Sequence, residues 1–216
     1  MTAVETRRIK TLLNQYQRAT KEPNTCAMFA IDANDIGVWY IKLYNIGGEY
    51  DEYATGEYLV KIVAPPEYPV KPPHFEMLTP NGVYDINCKV CISIGEYHAS
   101  SWRPTLGIDG FVQQLMSGLV GWESLGGGIN ILKTSVAEKK KIAAQSVEYN
   151  LQHNKAIVEL INEAHAKYSQ QWAKTTTNST TTATTSNTTT TTTTTNGTTN
   201  GTTNGTPDVS AVTTTL

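Results

Sequence analysis

Cys91 is the residue whose surroundings invite chemistry. It lies in irregular chain between Val90 and Ile92-Ser93-Ile94, downstream of the turn residues Pro80-Asn81-Gly82. A reactive thiol needs partial exposure and polar neighbours, and ordered loops on a scaffold supply both. Cys26, in an alternating apolar stretch, reads instead as a small buried hydrophobe. Cys88 and Cys91 form a lone Cys-x-x-Cys, which raises a metal or redox alternative. A structural zinc site usually takes two such pairs, and the other candidates, Cys26, His74 and His98, stand at no recognisable spacing. A thioredoxin-like pair opens a helix, whereas Ile92-Ser93-Ile94-Gly95 follows here. His98 shares the loop with Cys91 but lacks the surround of a Cys-His-Asn protease. Gly126-Gly127-Gly128 has neither the preceding strand nor the following Lys-Ser/Thr of a phosphate loop. The residues alone therefore give a candidate loop nucleophile, with metal or redox chemistry as the weaker reading.

The elements that position this loop are legible from periodicity. Ile9, Leu12, Leu13 and Tyr16 share one helical face, predicting a helix over Thr6 to Thr20 that Pro23 terminates. Cys26–Ile31, Val38–Tyr44 and Glu57–Val63 are strand-like, with Asn34-Asp35 and Gly47-Gly48 as turns. Pro65 to Pro73 holds five prolines in nine residues and is neither helix nor central strand, because proline lacks a backbone donor. His74–Leu78 is a short fourth strand. Beyond Pro104, a helix carries Ile108, Phe111, Val112, Leu115, Met116 and Leu119 on one side. Gly126-Gly127-Gly128 breaks the chain, and Ser135-x-x-Glu138 is a capping box that opens another helix. A last helix buries Ile157, Leu160, Ile161, Ala164 and Tyr168. The expected class is α+β: an N-terminal helix, a four-stranded antiparallel meander, a long loop and C-terminal helices.

Composition divides the chain into a globular part, 1–172, and a Thr/Asn-rich segment, 173–216. From Thr175 onward the only charged side chain is Asp208. Such a segment buries too little apolar surface to offset its ordering entropy, so disorder is expected. With 17 Lys and Arg against 19 Asp and Glu, nothing indicates a nucleic-acid surface. No apolar run approaches the ~20 residues that span a bilayer, and Met1 to Lys10 has no signal-peptide core. Three cysteines make an odd count and no disulfide framework, which points to a reducing, cytoplasmic setting. The Asn-x-Ser/Thr triplets at Asn178, Asn187, Asn196, Asn200 and Asn204 are then accidents of composition.

The ordered set Tyr68-Pro69-Val70-Lys71-Pro72-Pro73, Thr79-Pro80-Asn81-Gly82, Cys91-Ile92-Ser93-Ile94 and Trp102-Arg103-Pro104 resembles the signature of ubiquitin-conjugating enzymes. Each motif is weak alone; their order and spacing are specific. The likeness runs from the first helix to about Tyr168. It is strongest to the tail-anchored branch of the endoplasmic reticulum, which has Thr-Pro-Asn-Gly where others read His-Pro-Asn. That branch also carries a His-containing insertion, here Gly95 to Ser101, and a stretch like Ala143 to Leu151. The branch's transmembrane tail is replaced by the Thr/Asn segment, so the expectation is a soluble relative.

The resemblance implies a mechanism and partners. An activating enzyme, which consumes ATP, passes ubiquitin to the Cys91 thiol as a thioester, and a substrate lysine then attacks it, often within a ligase complex. No cofactor or metal is bound directly. The branch is associated with Ser/Thr hydroxyl acceptors as well, and His98 would then act as general base, or else shape the loop. Asn81 falls where the family's oxyanion asparagine lies, two residues further from the cysteine than usual; Asn87 or a backbone N–H are alternatives. Glu123-Ser124-Leu125-Gly126 holds no clear equivalent of the family's acidic residue near the acceptor. Arg7, Arg8 and Lys10 resemble the face that docks the activating enzyme, with a merely solvated helix face as the alternative. Val70, Trp102 and Pro104 correspond to the ligase-binding loops, although Val70 replaces a common large aromatic. An inactive ubiquitin-binding variant and a zinc or redox protein are the rival readings.

Overall fold

The computed structural model describes residues 2–46, 51–121 and 129–181, with side chains up to Trp172. Gly47-Gly48, Glu123-Ser124-Leu125-Gly126 and Gly126-Gly127-Gly128 lie outside the described residues, as do residues 182–216.

Helix α1 spans Ala3–Ala19. It begins before Thr6 because Thr2 and Glu5 form a reciprocal capping box, Thr2 Oγ1 accepting the Glu5 N–H at 3.2 Å. Leu12 is fully buried, but Leu13 is 43% exposed, so the expected stripe is narrower than the sequence implied. Buried Gln15 lies on the inward face instead, its Oε1 accepting from the Tyr68 hydroxyl at 2.6 Å and from Ile108 N–H at 3.3 Å. Those two bonds satisfy a polar group that would otherwise be costly to bury.

Strands β1 (Ala27–Ile31), β2 (Val38–Leu43), β3 (Tyr58–Val63) and β4 (His74–Met77) form an antiparallel meander in the order β1-β2-β3-β4. The register sets Phe29, Ile41, Val60 and Met77 in one row across the sheet. All four are buried, on the face covered by α1 and by helix α2, Gly107–Val120. Of the expected α2 stripe, Ile108, Phe111, Val112, Leu115 and Leu119 are buried and Met116 is half-buried. Cys26 precedes β1 and is half-buried rather than a core strand residue.

Alternation places Ala30, Tyr40, Lys61 and Glu76 on the opposite face. Helix α3 (Val136–His153) starts at Ser135, whose Oγ accepts the Glu138 N–H. Helix α4 (Lys155–Thr181) lies over that second face, Ile161 closing a buried cluster with Ala30, Leu59 and Leu78. It continues past Trp172 to Thr181. Helices thus cover both faces of the sheet, and the Cys91 loop emerges beyond β4.

Candidate active site

The loop after β4 is built on a turn whose polar groups close on themselves. Asn81 is 1% exposed. Its Oδ1 accepts from Val83 N–H at 3.0 Å and Tyr84 N–H at 2.8 Å, and its Nδ2 donates to the carbonyls of Thr79 at 3.2 Å and Tyr84 at 3.0 Å. Both amide hydrogens and both acceptor positions are therefore occupied. The oxyanion role expected of Asn81 has no free donor to rest on; its geometry is that of a turn organiser. Asn87 is exposed, at φ +56°.

Thr79 ties this turn to the sheet and to α3. Its hydroxyl accepts from Leu59 N–H at 2.8 Å and donates to Asn150 Oδ1, while Asn150 Nδ2 donates to Glu57 O at 2.9 Å. Asn150 belongs to the Ala143–Leu151 stretch, which thereby acquires a structural task.

From that base the chain reaches Cys91, which is half-buried. Its N–H donates to Ile129 O at 3.4 Å, and Asn130 Nδ2 donates to Lys89 O at 2.8 Å. The segment after α2 therefore clasps the cysteine loop. Neither Ile129 nor Asn130 carried a recognisable signal in the sequence.

Beyond Cys91, Glu96–Ser101 forms a short 3-10 segment in which His98 departs from helical geometry, at φ −129° and ψ 47°. That departure accompanies its placement: His98 Nε2 lies 3.2 Å from Cys91 Sγ. The two residues singled out for nucleophile chemistry are thus in contact. Such a pair lets a proton pass between thiol and imidazole, the arrangement by which an adjacent base activates a cysteine nucleophile. Cys88 is less suited, since burial and the nearby Asp85 and Glu76 carboxylates push its thiol up, away from the thiolate.

The remaining candidates separate. Arg7 and Lys10 are exposed on α1. Arg8 is turned inward, its guanidinium donating to the carbonyls of Ala64 at 2.8 Å and Pro65 at 3.0 Å and lying 3.6 Å from Asp35. It fastens α1 to the proline-rich loop and is not a free docking cation. Val70 is 73% exposed, whereas Trp102 is 4% exposed and donates from Nε1 to Pro69 O at 2.8 Å. Trp102 thus joins the two loops from within, leaving Val70 and Pro104 at the surface.

The site is thus a thiol on a loop beside β4, at the end of an antiparallel meander between helical layers. The family model of the ubiquitin-conjugating enzyme matches residues 11–121, which include Cys91 and His98. Among relatives, Probable ubiquitin-conjugating enzyme E2 33 of Arabidopsis thaliana is 36% identical over 163 residues, covering 76% of this chain and 65% of its own. Ubiquitin-conjugating enzyme E2 J2 of Mus musculus is 31% identical over 160 residues, covering 74% of this chain and 60% of its own. The chain thus spans less than two thirds of the length of these relatives. The solved structure of human Ubiquitin-conjugating enzyme E2 G1 aligns with a TM-score of 0.45 at 27% identity, over 53% of this chain and 95% of that one. This chain belongs to the ubiquitin-conjugating enzyme family. Among the described residues, no helix is long and apolar enough to cross a membrane.

Proposed function

We propose that the chain carries ubiquitin as a thioester on Cys91 and delivers it to substrate lysine and to Ser/Thr hydroxyls. The observation that carries this reading is the 3.2 Å approach of His98 Nε2 to Cys91 Sγ, within the family match. In charging, the Cys91 thiolate attacks the carbonyl of the activating enzyme's ubiquitin thioester. A new C–S bond forms, and the activating enzyme's cysteine leaves as thiolate. In discharge, an acceptor amine or hydroxyl attacks the Cys91 thioester, its proton passes to a base, and Cys91 Sγ leaves with the electron pair of the broken bond. An amine can lose its proton through a desolvation-driven pKa shift alone, whereas a hydroxyl needs a base beside it. His98 Nε2 stands beside the reacting sulfur and takes that proton. Asn81 shapes the loop, and Asn87 or a backbone N–H is then the group that meets the oxyanion.

Arg7 and Lys10 fit the activating-enzyme face, and Val70 with Pro104 fits the ligase-facing surface. Ubiquitin, the activating enzyme, ligases and protein substrates are the partners. The three unpaired thiols support a cytoplasmic, reducing location. The test is a charging assay with activating enzyme, ATP and ubiquitin on a non-reducing gel. Cys91→Ser replaces the thiol-sensitive adduct with a thiol-resistant oxyester, and Cys88→Ser still charges. Loss of charging in Cys88→Ser alone refutes the assignment, and no adduct in the native chain marks a non-catalytic or a redox protein.

A further inference from the structure

The insertion that delivers His98 has almost nothing to hold it by packing. Every side chain from Glu96 to Ser101 is exposed. Main-chain bonds from His98 N–H to Gly95 O at 2.9 Å and from Trp102 N–H to Ala99 O at 3.3 Å shape the turn internally, but they do not fix it to the domain. At its far end, buried Trp102 is the anchor. At its near end, buried Gly95 donates from its N–H to Ile92 O at 3.0 Å, and the Glu96 carboxylate ties the turn to the sheet. Glu96 lies 2.9 Å from Lys89 Nζ, on the approach to Cys91, and 3.3 Å from Nδ1 of His74, the first residue of β4. His74 Nε2 lies 3.5 Å from Glu76 Oε1, and Glu76 Oε2 lies 3.3 Å from Lys61 Nζ on β3. One chain of polar contacts thus runs from the sheet through Glu96 to the cysteine loop.

We propose that Glu96 is a positioning residue for hydroxyl transfer: by bridging His74 and Lys89 it holds the Gly95–Ser101 turn so that His98 Nε2 stays against Cys91 Sγ. This rests on the reading of His98 as the base for hydroxyl acceptors. His74 is only 16% exposed in its side chain, so it gives Glu96 a fixed partner where two surface side chains alone would not. Partly buried pairs are also screened less by salt than exposed ones. Misplacing a catalytic group by about 1 Å can cost on the order of a hundredfold in rate, so a loose turn would tax the hydroxyl reaction most. An amine acceptor, which can ionise by desolvation, depends less on that placement.

The test uses the full chain, preloaded with ubiquitin and chased with a serine-containing or a lysine-containing peptide. Glu96→Gln keeps the shape and removes the charge, and it should slow hydroxyl discharge by on the order of tenfold and lysine discharge clearly less. Glu96→Asp, which keeps the charge, should recover most of the hydroxyl rate. In a His98→Gln background, adding Glu96→Gln should change nothing further, because both act through one imidazole. A readout independent of acceptor chemistry is the pH profile of Cys91 alkylation by iodoacetamide, which Glu96→Gln should alter in the same way as His98→Gln. If Glu96→Gln keeps the native alkylation profile, or its effect multiplies with that of His98→Gln, the positioning role is wrong. If instead both variants alter the profile alike but neither slows hydroxyl discharge, the base assignment of His98 is wrong, and hydroxyl transfer drops out of the role of Glu96.

Discussion

The Thr79 hydroxyl donates to Asn150 Oδ1 while accepting from Leu59 N–H, so a residue of α3 fixes the turn that leads to the cysteine. Both Thr79 and Asn150 are buried. Thr79→Val keeps the shape but strands the Leu59 N–H and the Asn150 carbonyl. Each unsatisfied buried group costs about 1–3 kcal/mol, so a loss of about 2–4 kcal/mol is expected in denaturant unfolding. A loss below about 1 kcal/mol would mean that neither group depends on Thr79.

Asn81→Ala separates a turn organiser from an oxyanion donor. Removing the amide leaves two N–H groups and two carbonyls without their partners, for a loss of about 4 kcal/mol or more. Charging and discharge should both fall, since the loop itself is disturbed. An oxyanion donor would give undiminished stability and a defect confined to the acyl-transfer rates.

How much of this was legible in sequence differs by element. Strand periodicity located all four strands to within a residue or two, because one face of the sheet is continuously apolar. Helix α1 starts ahead of where periodicity puts it, because the Thr2-x-x-Glu5 box precedes the apolar repeat. Leu13 reads as core by spacing, yet tertiary bonds to Tyr68 and α2 favour Gln15 on the inward face. Cys91 stood out as the candidate nucleophile through the order of its flanking motifs. The contact with His98 was legible only as a shared loop, since spacing alone does not say how an irregular segment folds back. Glu96, His74 and Asn130 left no local signal: their roles depend on where β4 and the segment after α2 lie in space.

Acid should weaken the domain through His74. Burial, and then the nearby Lys89, hold its pKa below the ordinary value, although Glu96 and Glu76 pull the other way. The unfolded chain therefore binds this proton more readily than the folded one. The stabilising term is fully present above the unfolded value of about 6.5 and is lost as pH falls through the lower folded value. Unfolding free energy measured from pH 7.5 down to 5 should fall more steeply in the native chain than in His74→Gln. Equal slopes would remove His74 from the acid response.

The C-terminal boundary of what the domain needs lies within α4. Phe29, on the outer strand β1, has its N–H donating to the Tyr168 hydroxyl at 3.3 Å and its carbonyl accepting from Tyr16 at 3.3 Å. An open strand edge is thereby covered, which guards against pairing with other chains. Trp172 Nε1 donates to Thr20 O at 3.0 Å and pins the helix to the end of α1. Truncation after Trp172 keeps these contacts and should leave charging and the melting temperature near those of the full chain. Truncation after Glu159 removes Leu160, Ile161, Tyr168 and Trp172 and uncovers Ala30, Leu59 and Leu78. Losing burial of two or three large apolar side chains costs roughly 4 kcal/mol or more, which lowers the melting temperature by about 10 °C and exposes the β1 edge to aggregation. Thermal melts and charging assays on both truncations decide the matter. If the cut after Trp172 is as damaging as the cut after Glu159, residues beyond Trp172 contribute to the fold or the chemistry.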